Sequence, residues 1–137
     1  MPPILDKFGL KVALEELFEE FTSNTSITIN YNIESIEDLD KNYELHVFRI
    51  AQELISNALN HGKADLLQMK LKKNNEGFTL VFKDNGIGFD VNKQKIKSGI
   101  GLQNIRSRVA ILNGKLSIES SKKTGSIFTI NCLNYEF

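Results

Sequence analysis

Residues 50–62 read IAQELISNALNHG, and this stretch predicts a helix with two chemically different faces. Apolar residues recur at helical spacing through a helix expected from about Tyr43 to Asn60, and His61-Gly62 is typical of a helix end. The opposite face carries polar side chains of several kinds: His46, Arg49, Glu53, Asn57, Asn60 and His61. A solvated surface is the ordinary explanation of a polar stripe, but this one contains neither lysine nor a run of glutamates. Its short carboxylate, amide and imidazole groups also suit a bound ion such as Mg²⁺.

A second stretch, residues 83–90, reads KDNGIGFD and begins where a predicted strand ends. The strand delivers Asp84 to a turn whose glycines, Gly86 and Gly88, allow the backbone to approach a ligand closely. A carboxylate there can accept a hydrogen bond from the amine of adenine, whereas guanine has a carbonyl at the equivalent atom. An ordinary Asp-Asn-Gly turn explains the same residues slightly better when this stretch is taken alone.

A third stretch, residues 98–104, reads SGIGLQN and places a Gly-x-Gly at the start of a helix predicted over residues 100–112. The unpaired N–H groups and the dipole of a helix start attract anions. Five basic residues lie nearby: Lys93, Lys95, Lys97, Arg106 and Arg108. The stretch lacks the preceding strand and third glycine of a dinucleotide fingerprint, and it lacks the Gly-Lys-Ser/Thr of a phosphate-binding loop. By itself it is a weak signal.

The remaining sequence predicts a single α+β domain. Residues 2–9 have the prolines and glycine of an extended leading segment, and a helix follows from Leu10 to about Phe21. Alternating apolar runs predict five strands, at about residues 26–33, 65–72, 77–84, 115–120 and 126–133. The order αβαββαββ indicates a two-layer sandwich in which about three helices cover one face of a mixed sheet.

Composition excludes several other classes of protein. Apolar residues make up 41% of the 137-residue chain, which is normal for a globular domain and too high for a disordered one. The apolar runs are too short to span a membrane, and no signal peptide is visible. The single cysteine, Cys132, cannot form an internal disulfide, and this is typical of a protein in a reducing cytoplasm.

The net charge is zero, but the charges are unevenly distributed. Residues 1–60 hold 11 acidic and 4 basic side chains, a balance of −7, and residues 61–137 hold 6 and 13, a balance of +7. The zero total argues against nucleic-acid binding, whereas the basic second half could attract a smaller anion. Chance placement of surface lysines would also explain the difference.

In their order along the chain, four motifs together resemble the GHKL ATPase superfamily. They are Glu53-x-x-x-Asn57-x-x-x-His61-Gly62, Asp84-x-Gly86-x-Gly88, Gly99-x-Gly101-Leu102 and Gly125-Ser126. The sequence is most similar to the ATP-binding catalytic domain of bacterial sensor histidine kinases of the nitrate-sensor-like subgroup. The likeness extends from about Gly9 to Leu133.

This resemblance implies a Bergerat-type sandwich that binds ATP and Mg²⁺. It implies that Asn57 is the Mg²⁺ ligand and a catalytic residue, and that Asp84 binds the amino group of adenine. Gly86 and Gly88 would let the backbone pass the base. Glu53 would be a second catalytic residue, which orients metal-bound water or the attacking imidazole.

The resemblance also implies contacts to the phosphates. These would come from Asn60, His61, Gly99, Gly101 and Leu102, with the neighbouring lysines and arginines complementing the charge of ATP. The resemblance also implies that Ser126 is a cofactor-binding residue; it stands where the family usually has threonine and keeps the hydroxyl group.

Domain organisation and partners follow from the same resemblance. Residues 1–8 would be the end of a linker, and residues 9–137 the ATP-binding catalytic domain. The phosphoacceptor histidine would lie on a separate dimerisation domain, because His46 and His61 both fall on the second predicted helix. A response regulator would receive the phosphoryl group next. The chain would be cytoplasmic and monomeric, without membrane or nucleic-acid contact; anchoring of the parent protein in the inner membrane is left open.

Two alternatives remain. One is a free-standing anti-sigma-factor-type serine kinase, and the other is a degenerate nucleotide-binding module that regulates partners. A short lid between Phe89 and Ser98 and the sequence Asn104-Ile105-Arg106 favour the histidine kinase over the serine kinase. The presence of Glu53, Asn57 and Asp84 argues against a degenerate module.

Overall fold

The computed structural model describes residues 1–89 and 102–133. Within these ranges the chain forms three helices and five strands in the order predicted from the sequence. They are α1 (Pro3–Asn24), β1 (Thr28–Ile33), α2 (Lys41–Asn60), β2 (Leu66–Lys73), β3 (Gly77–Asp84), α3 (Leu102–Ile111), β4 (Gly114–Ser121) and β5 (Gly125–Leu133).

The five strands form one mixed sheet in the order β1-β2-β3-β5-β4. The pair β1–β2 is parallel, and the other three pairs are antiparallel. In β3 the buried residues alternate through Phe78, Leu80 and Phe82, and in β5 through Phe128, Ile130 and Cys132. Because alternate residues of a strand share a face, these side chains cover one face of the sheet and form the core with the helices. The predicted α+β sandwich is confirmed.

The central helix α2 packs against both α1 and α3. Its N-terminus is capped by Asp40, whose carboxylate accepts a hydrogen bond from the backbone N–H of Asn42 at 2.8 Å. Its apolar side chains Val47, Ala51, Leu54, Ile55 and Ala58 are buried, as their helical spacing predicts. The polar stripe is therefore directed away from the core.

The prediction of an extended leading segment at residues 2–9 is wrong. Residues from Pro3 onward are helical, because proline is favourable at the first position of a helix and Leu5 is completely buried in the core. Gly9 interrupts the helix with a φ of 86°. The carboxylate of Glu44 on α2 accepts a hydrogen bond from the N–H of Leu10 at 3.0 Å. This bond supplies a partner for a backbone N–H at the start of the helical segment that follows Gly9.

The helices of the structure bear on whether the chain crosses a membrane. Among residues 1–89 and 102–133, no helix combines the length and the apolar character that crossing a bilayer requires.

Candidate functional site

Asp84 is the last residue of β3 and continues the buried alternation of that strand. Its side chain follows Phe82 on the helix-facing side of the sheet and is only 9% exposed. The carboxylate accepts hydrogen bonds from the N–H of Gly86, at 2.8 Å, and from the backbone N–H of Ser126. Burial raises the pKa of Asp84, and the two hydrogen bonds oppose that shift by stabilising the charged form. The fold thus holds a desolvated acceptor at the edge of the core.

The turn after Asp84 is docked on the end of α2. The N–H of Ile87 donates to the carbonyl of Gly62 at 2.8 Å. A Cβ atom on Gly86 would lie 2.3 Å from the same carbonyl oxygen, so only glycine permits this approach. Gly88 similarly leaves room for the carbonyl of Ser121, which a Cβ would approach to 2.2 Å. The two motifs that the sequence suggested are in direct contact.

Asn57 and Glu53 lie one turn apart on the last turns of α2, and both are half-buried. The amide Nδ2 of Asn57 is inaccessible to solvent and has no hydrogen-bond partner in the part of the chain that the structure describes. Its backbone carbonyl ends the helix by accepting from the N–H groups of His61 and Gly62. Asn60 and His61 are exposed beside it. An unpartnered buried amide is costly unless a ligand completes it.

Ser126 connects the site to the sheet edge. It is only 2% exposed, and its hydroxyl lies 2.8 Å from that of Ser120 on β4. The Ser120 hydroxyl accepts a hydrogen bond of 2.9 Å from the N–H of Phe89. Phe89 is the last described residue at the start of the predicted lid. The sequence did not single out Ser120. Its inward position could have been found by extending the alternation of Leu116 and Ile118 along β4.

The N-terminal part of the polar stripe on α2 makes hydrogen bonds within the protein. The guanidinium of Arg108 on α3 donates to Nδ1 of His46 at 3.0 Å, and Arg49 donates to Gln52 at 2.8 Å. Burial, together with the positive charge of Arg108, lowers the pKa of His46. A neutral His46 can accept this bond, so the contact joins α2 to α3. The stripe therefore has two parts: an N-terminal part that joins helices, and a C-terminal part that lies beside the turn after Asp84.

The third motif is only partly visible. Gly99, Gly101 and the lysines Lys93, Lys95 and Lys97 lie outside the described residues. Leu102, which begins α3, is buried in the core. The predicted phosphate contacts of these residues stay predictions.

Comparison with known proteins identifies the family. Residues 42–136 match the family model described as the histidine kinase-, DNA gyrase B-, and HSP90-like ATPase. The chain belongs to this ATPase family. The resemblance predicted from the four motifs is confirmed.

Two relatives of this ATPase domain are named as histidine kinases. The chain is 31% identical to the oxygen sensor histidine kinase NreB of Staphylococcus carnosus over 94% of its own length and 38% of that protein. It is 32% identical to the histidine-protein kinase/phosphatase DegS of Brevibacillus brevis, over 93% of its length and 33% of that protein. The chain thus spans about a third of these relatives.

A solved structure supports the fold of the ATPase domain. The ATP-binding domain of PrrB from Mycobacterium tuberculosis superimposes with a TM-score of 0.69 at 16% identity, covering 90% of this chain and 93% of that one. This likeness shows that the two chains share the same fold.

Proposed function

We propose that this ATPase domain binds Mg²⁺-ATP and transfers the γ-phosphoryl group to a histidine on a separate phosphoacceptor domain. The observation that carries the proposal is the buried carboxylate of Asp84, held at the end of β3 by two backbone N–H groups. The relatives of this chain, NreB and DegS, are named as histidine kinases, and this favours histidine as the acceptor. A response regulator would then receive the phosphoryl group, within the cytoplasm.

Adenine would bind at Asp84. A desolvated carboxylate is a strong acceptor, and adenine presents an amine donor where guanine presents a carbonyl. Gly86 and Gly88 keep the turn close to its neighbours, because side chains there would collide with Gly62 and Ser121. The base would therefore meet a turn whose backbone is tightly packed.

Mg²⁺ would be held by Asn57. A half-turn of its amide exchanges the nitrogen and the oxygen, so the unpartnered buried position can present an oxygen ligand to a cation. Mg²⁺ commonly takes few protein ligands and keeps waters and phosphate oxygens, which a single amide oxygen suits. The ion would neutralise charge that develops on the phosphates during transfer. Glu53, one turn earlier on α2, would orient water or the attacking imidazole.

The phosphates would lie beyond the end of α2. The exposed side chains of Asn60 and His61 border this position, and Gly99, Gly101 and the N–H of Leu102 would complete it from the start of α3. Phosphoryl transfer depends mainly on positioning and charge neutralisation. The domain's own groups would thus bind and orient ATP, while the separate domain supplies the nucleophile.

Replacement of Asn57 by alanine tests the Mg²⁺ ligand. Wild-type protein is expected to bind ATP more tightly with Mg²⁺ than with EDTA, and Asn57→Ala is expected to remove about tenfold of that gain, because the amide ligand is lost. Isothermal titration calorimetry with each protein under both conditions measures the difference.

Gln52→Ala is the matched control, since it also removes an amide from α2, but one that accepts from Arg49. It should keep the Mg²⁺-dependent gain. Absence of Mg²⁺-ATP binding to the wild type at millimolar nucleotide would contradict the proposed function, and an unchanged gain in Asn57→Ala would exclude Asn57 as the ligand.

Radiolabelled ATP tests the acceptor. With the phosphoacceptor domain of its parent kinase, this chain is expected to produce acid-labile, base-stable phosphate on that domain, which is the chemistry of phosphohistidine. No label should accumulate on the chain itself, because His46 is held by Arg108 on α3 and His61 caps the C-terminus of α2, the helix that would bind ATP. Acid-stable phosphate on a protein serine would instead favour an anti-sigma-factor-type kinase.

A further inference from the structure

We infer that Asn85 is a positioning residue that sets the selectivity of this site for an amine-bearing purine. Its side chain fixes the start of the turn and so fixes the direction of the Asp84 carboxylate. The inference rests on the proposed function, in which Asp84 binds the amine of adenine.

The side chain of Asn85 makes three hydrogen bonds to the segment that opens β2. Its Oδ1 accepts from the N–H of Asp65 and from the N–H of Leu66, both at 3.0 Å. Its Nδ2 donates to the carboxylate of Asp65 at 2.6 Å. Its backbone N–H donates to the carbonyl of Leu66 at 3.2 Å. All the polar atoms of this amide are directed at β2, so Asn85 binds protein rather than nucleotide.

The segment that Asn85 holds is itself anchored. The carbonyl of Asp65 accepts from the N–H of Thr28 at 2.9 Å, which ties the start of β2 to β1. Asp84 pairs with Leu67 at the last position of the β2–β3 ladder. Strand ends open easily unless further bonds hold them. The Asn85 amide supplies those bonds immediately beyond the ladder.

Asp84 and Asn85 serve opposite sides of the turn. The Asp84 carboxylate accepts from Gly86 and Ser126 and faces the helices, whereas Asn85 is exposed and binds Asp65 and Leu66. Loss of the Asn85 side chain would therefore leave the contacts of Asp84 in place while it frees the turn that carries them. The expected consequence is a mobile carboxylate, not an absent one.

Mobility of the carboxylate would change selectivity more than overall binding. Inosine triphosphate (ITP) has a carbonyl in place of the amine of ATP, so a fixed carboxylate attracts one base and repels the other. A carboxylate free to move binds the amine less well and can turn away from the carbonyl. The preference for ATP over ITP should fall even where phosphate binding is unchanged.

The test measures the dissociation constants of Mg²⁺-ATP and Mg²⁺-ITP for wild type and for Asn85→Ala by calorimetry. The wild type is expected to prefer ATP by at least about tenfold, and Asn85→Ala to reduce that preference by about tenfold. Both ligands are titrated into one preparation, so a loss of folded protein lowers the binding stoichiometry and leaves the ratio of affinities intact.

A charge exchange provides rescue. Asn85→Asp alone places a carboxylate against that of Asp65 and should also reduce the preference. Combined with Asp65→Asn, it restores a donor–acceptor pair with the direction reversed, and the preference should recover. A merely structural loss of stability would not be expected to return the ATP-to-ITP ratio in this way.

Asn74→Ala is the matched control. The Oδ1 of Asn74 accepts from the N–H groups of Glu76 and Gly77, at 2.9 and 2.8 Å, and its Nδ2 donates to Thr79 at 3.0 Å. It thus makes the same kind of clamp at the opposite end of β2 and β3. Asn74→Ala should lower the melting temperature and leave the ATP-to-ITP ratio at its wild-type value.

The outcomes separate the inference from the proposed function. A wild type that binds ATP and ITP equally, or binds neither, would overturn the assigned role of Asp84 and the inference with it. A wild type that prefers ATP, together with Asn85→Ala and Asn85→Asp variants that keep the full preference, would overturn the role of Asn85 alone. Should Asn85→Ala fail to fold, the comparison of Asn85→Asp with the exchanged pair decides the question.

Discussion

Replacement of Asp84 by asparagine is expected to weaken ATP binding by about 10- to 100-fold, which corresponds to the loss of one hydrogen bond to a charged acceptor. Asparagine has nearly the size of aspartate, so the turn can remain in place. One of its two terminal groups is a donor, however, and the wild-type carboxylate already accepts from the backbone N–H groups of Gly86 and Ser126. The NH₂ group of the new amide is a donor. It would therefore be placed against another donor, which is either one of these backbone N–H groups or the amine of adenine.

The acidity of Asp84 adds a pH dependence that the variant should lose. Burial raises the pKa of Asp84 above its usual value of 3.8, so this carboxyl binds a proton at a higher pH than an exposed aspartate does. Binding to an amine donor favours the charged form. The affinity of the wild type for ATP should therefore decrease as the pH falls through the raised pKa, while Asp84→Asn should show a flatter profile.

Calorimetry of ATP binding from pH 7 down to the usual aspartate value of 3.8 measures both effects. Asp38→Asn is the control, because Asp38 is exposed and has a φ of 58°, a conformation that asparagine tolerates well. It should bind ATP as the wild type does at every pH. Equal affinity of Asp84→Asn and wild type at pH 7 would show that adenine binds elsewhere.

Much of the site's framework could be predicted from local patterns. The helix expected from Tyr43 to Asn60 is observed as Lys41–Asn60, because its apolar spacing and its glycine stop are properties of consecutive residues. The alternation that buries Phe82 also buries Asp84 two residues later. Local sequence was therefore enough to place the carboxylate on the core side of a strand end.

Other parts depend on contacts between distant residues, which a single sequence does not reveal. The leading prolines fit an extended segment as well as a helix start, and burial of Leu5 decides between them. Glu44 binds the N–H of Leu10 across 34 positions in the chain. The clamp of Asn85 on Asp65 crosses 20 positions, and the bond of Phe89 to Ser120 crosses 31. In the sequence, Asn85 is only a turn residue, and its partners, Asp65 and Leu66, lie at the start of another strand.

Replacement of Gly125 by alanine is expected to lower the free energy of unfolding by about 2–5 kcal/mol, through two separate effects. Gly125 has a φ of 83°, where a Cβ atom costs roughly 1–2 kcal/mol. The Cβ would also lie 2.1 Å from the carbonyl oxygen of Asp84, and overpacking of this kind costs about 1–3 kcal/mol. Urea denaturation of the unliganded protein measures the change.

Two other glycines separate these effects. Gly9 has a φ of 86°, but a Cβ there would meet only Glu44 Oε2 at 3.7 Å, so Gly9→Ala measures the backbone penalty alone. Gly86 does not have a positive φ in this structure, yet its Cβ would lie 2.3 Å from the carbonyl of Gly62, so Gly86→Ala measures a collision. Gly125→Ala combines a positive φ with a collision, so it should be more destabilising than Gly9→Ala and than Gly86→Ala.

The collision at Gly125 should also reach the ligand. It displaces β5 from the backbone of Asp84, and the next residue, Ser126, donates its N–H to the Asp84 carboxylate. Folded Gly125→Ala protein should therefore bind ATP more weakly, whereas Gly9→Ala, which lies on α1, should bind ATP as the wild type does. A Gly125→Ala protein that is as stable as Gly9→Ala and binds ATP equally well would contradict this prediction. It would mean that the hairpin of β4 and β5 can shift without loss of stability, and that the close contact between Gly125 and Asp84 does not hold the acceptor in place.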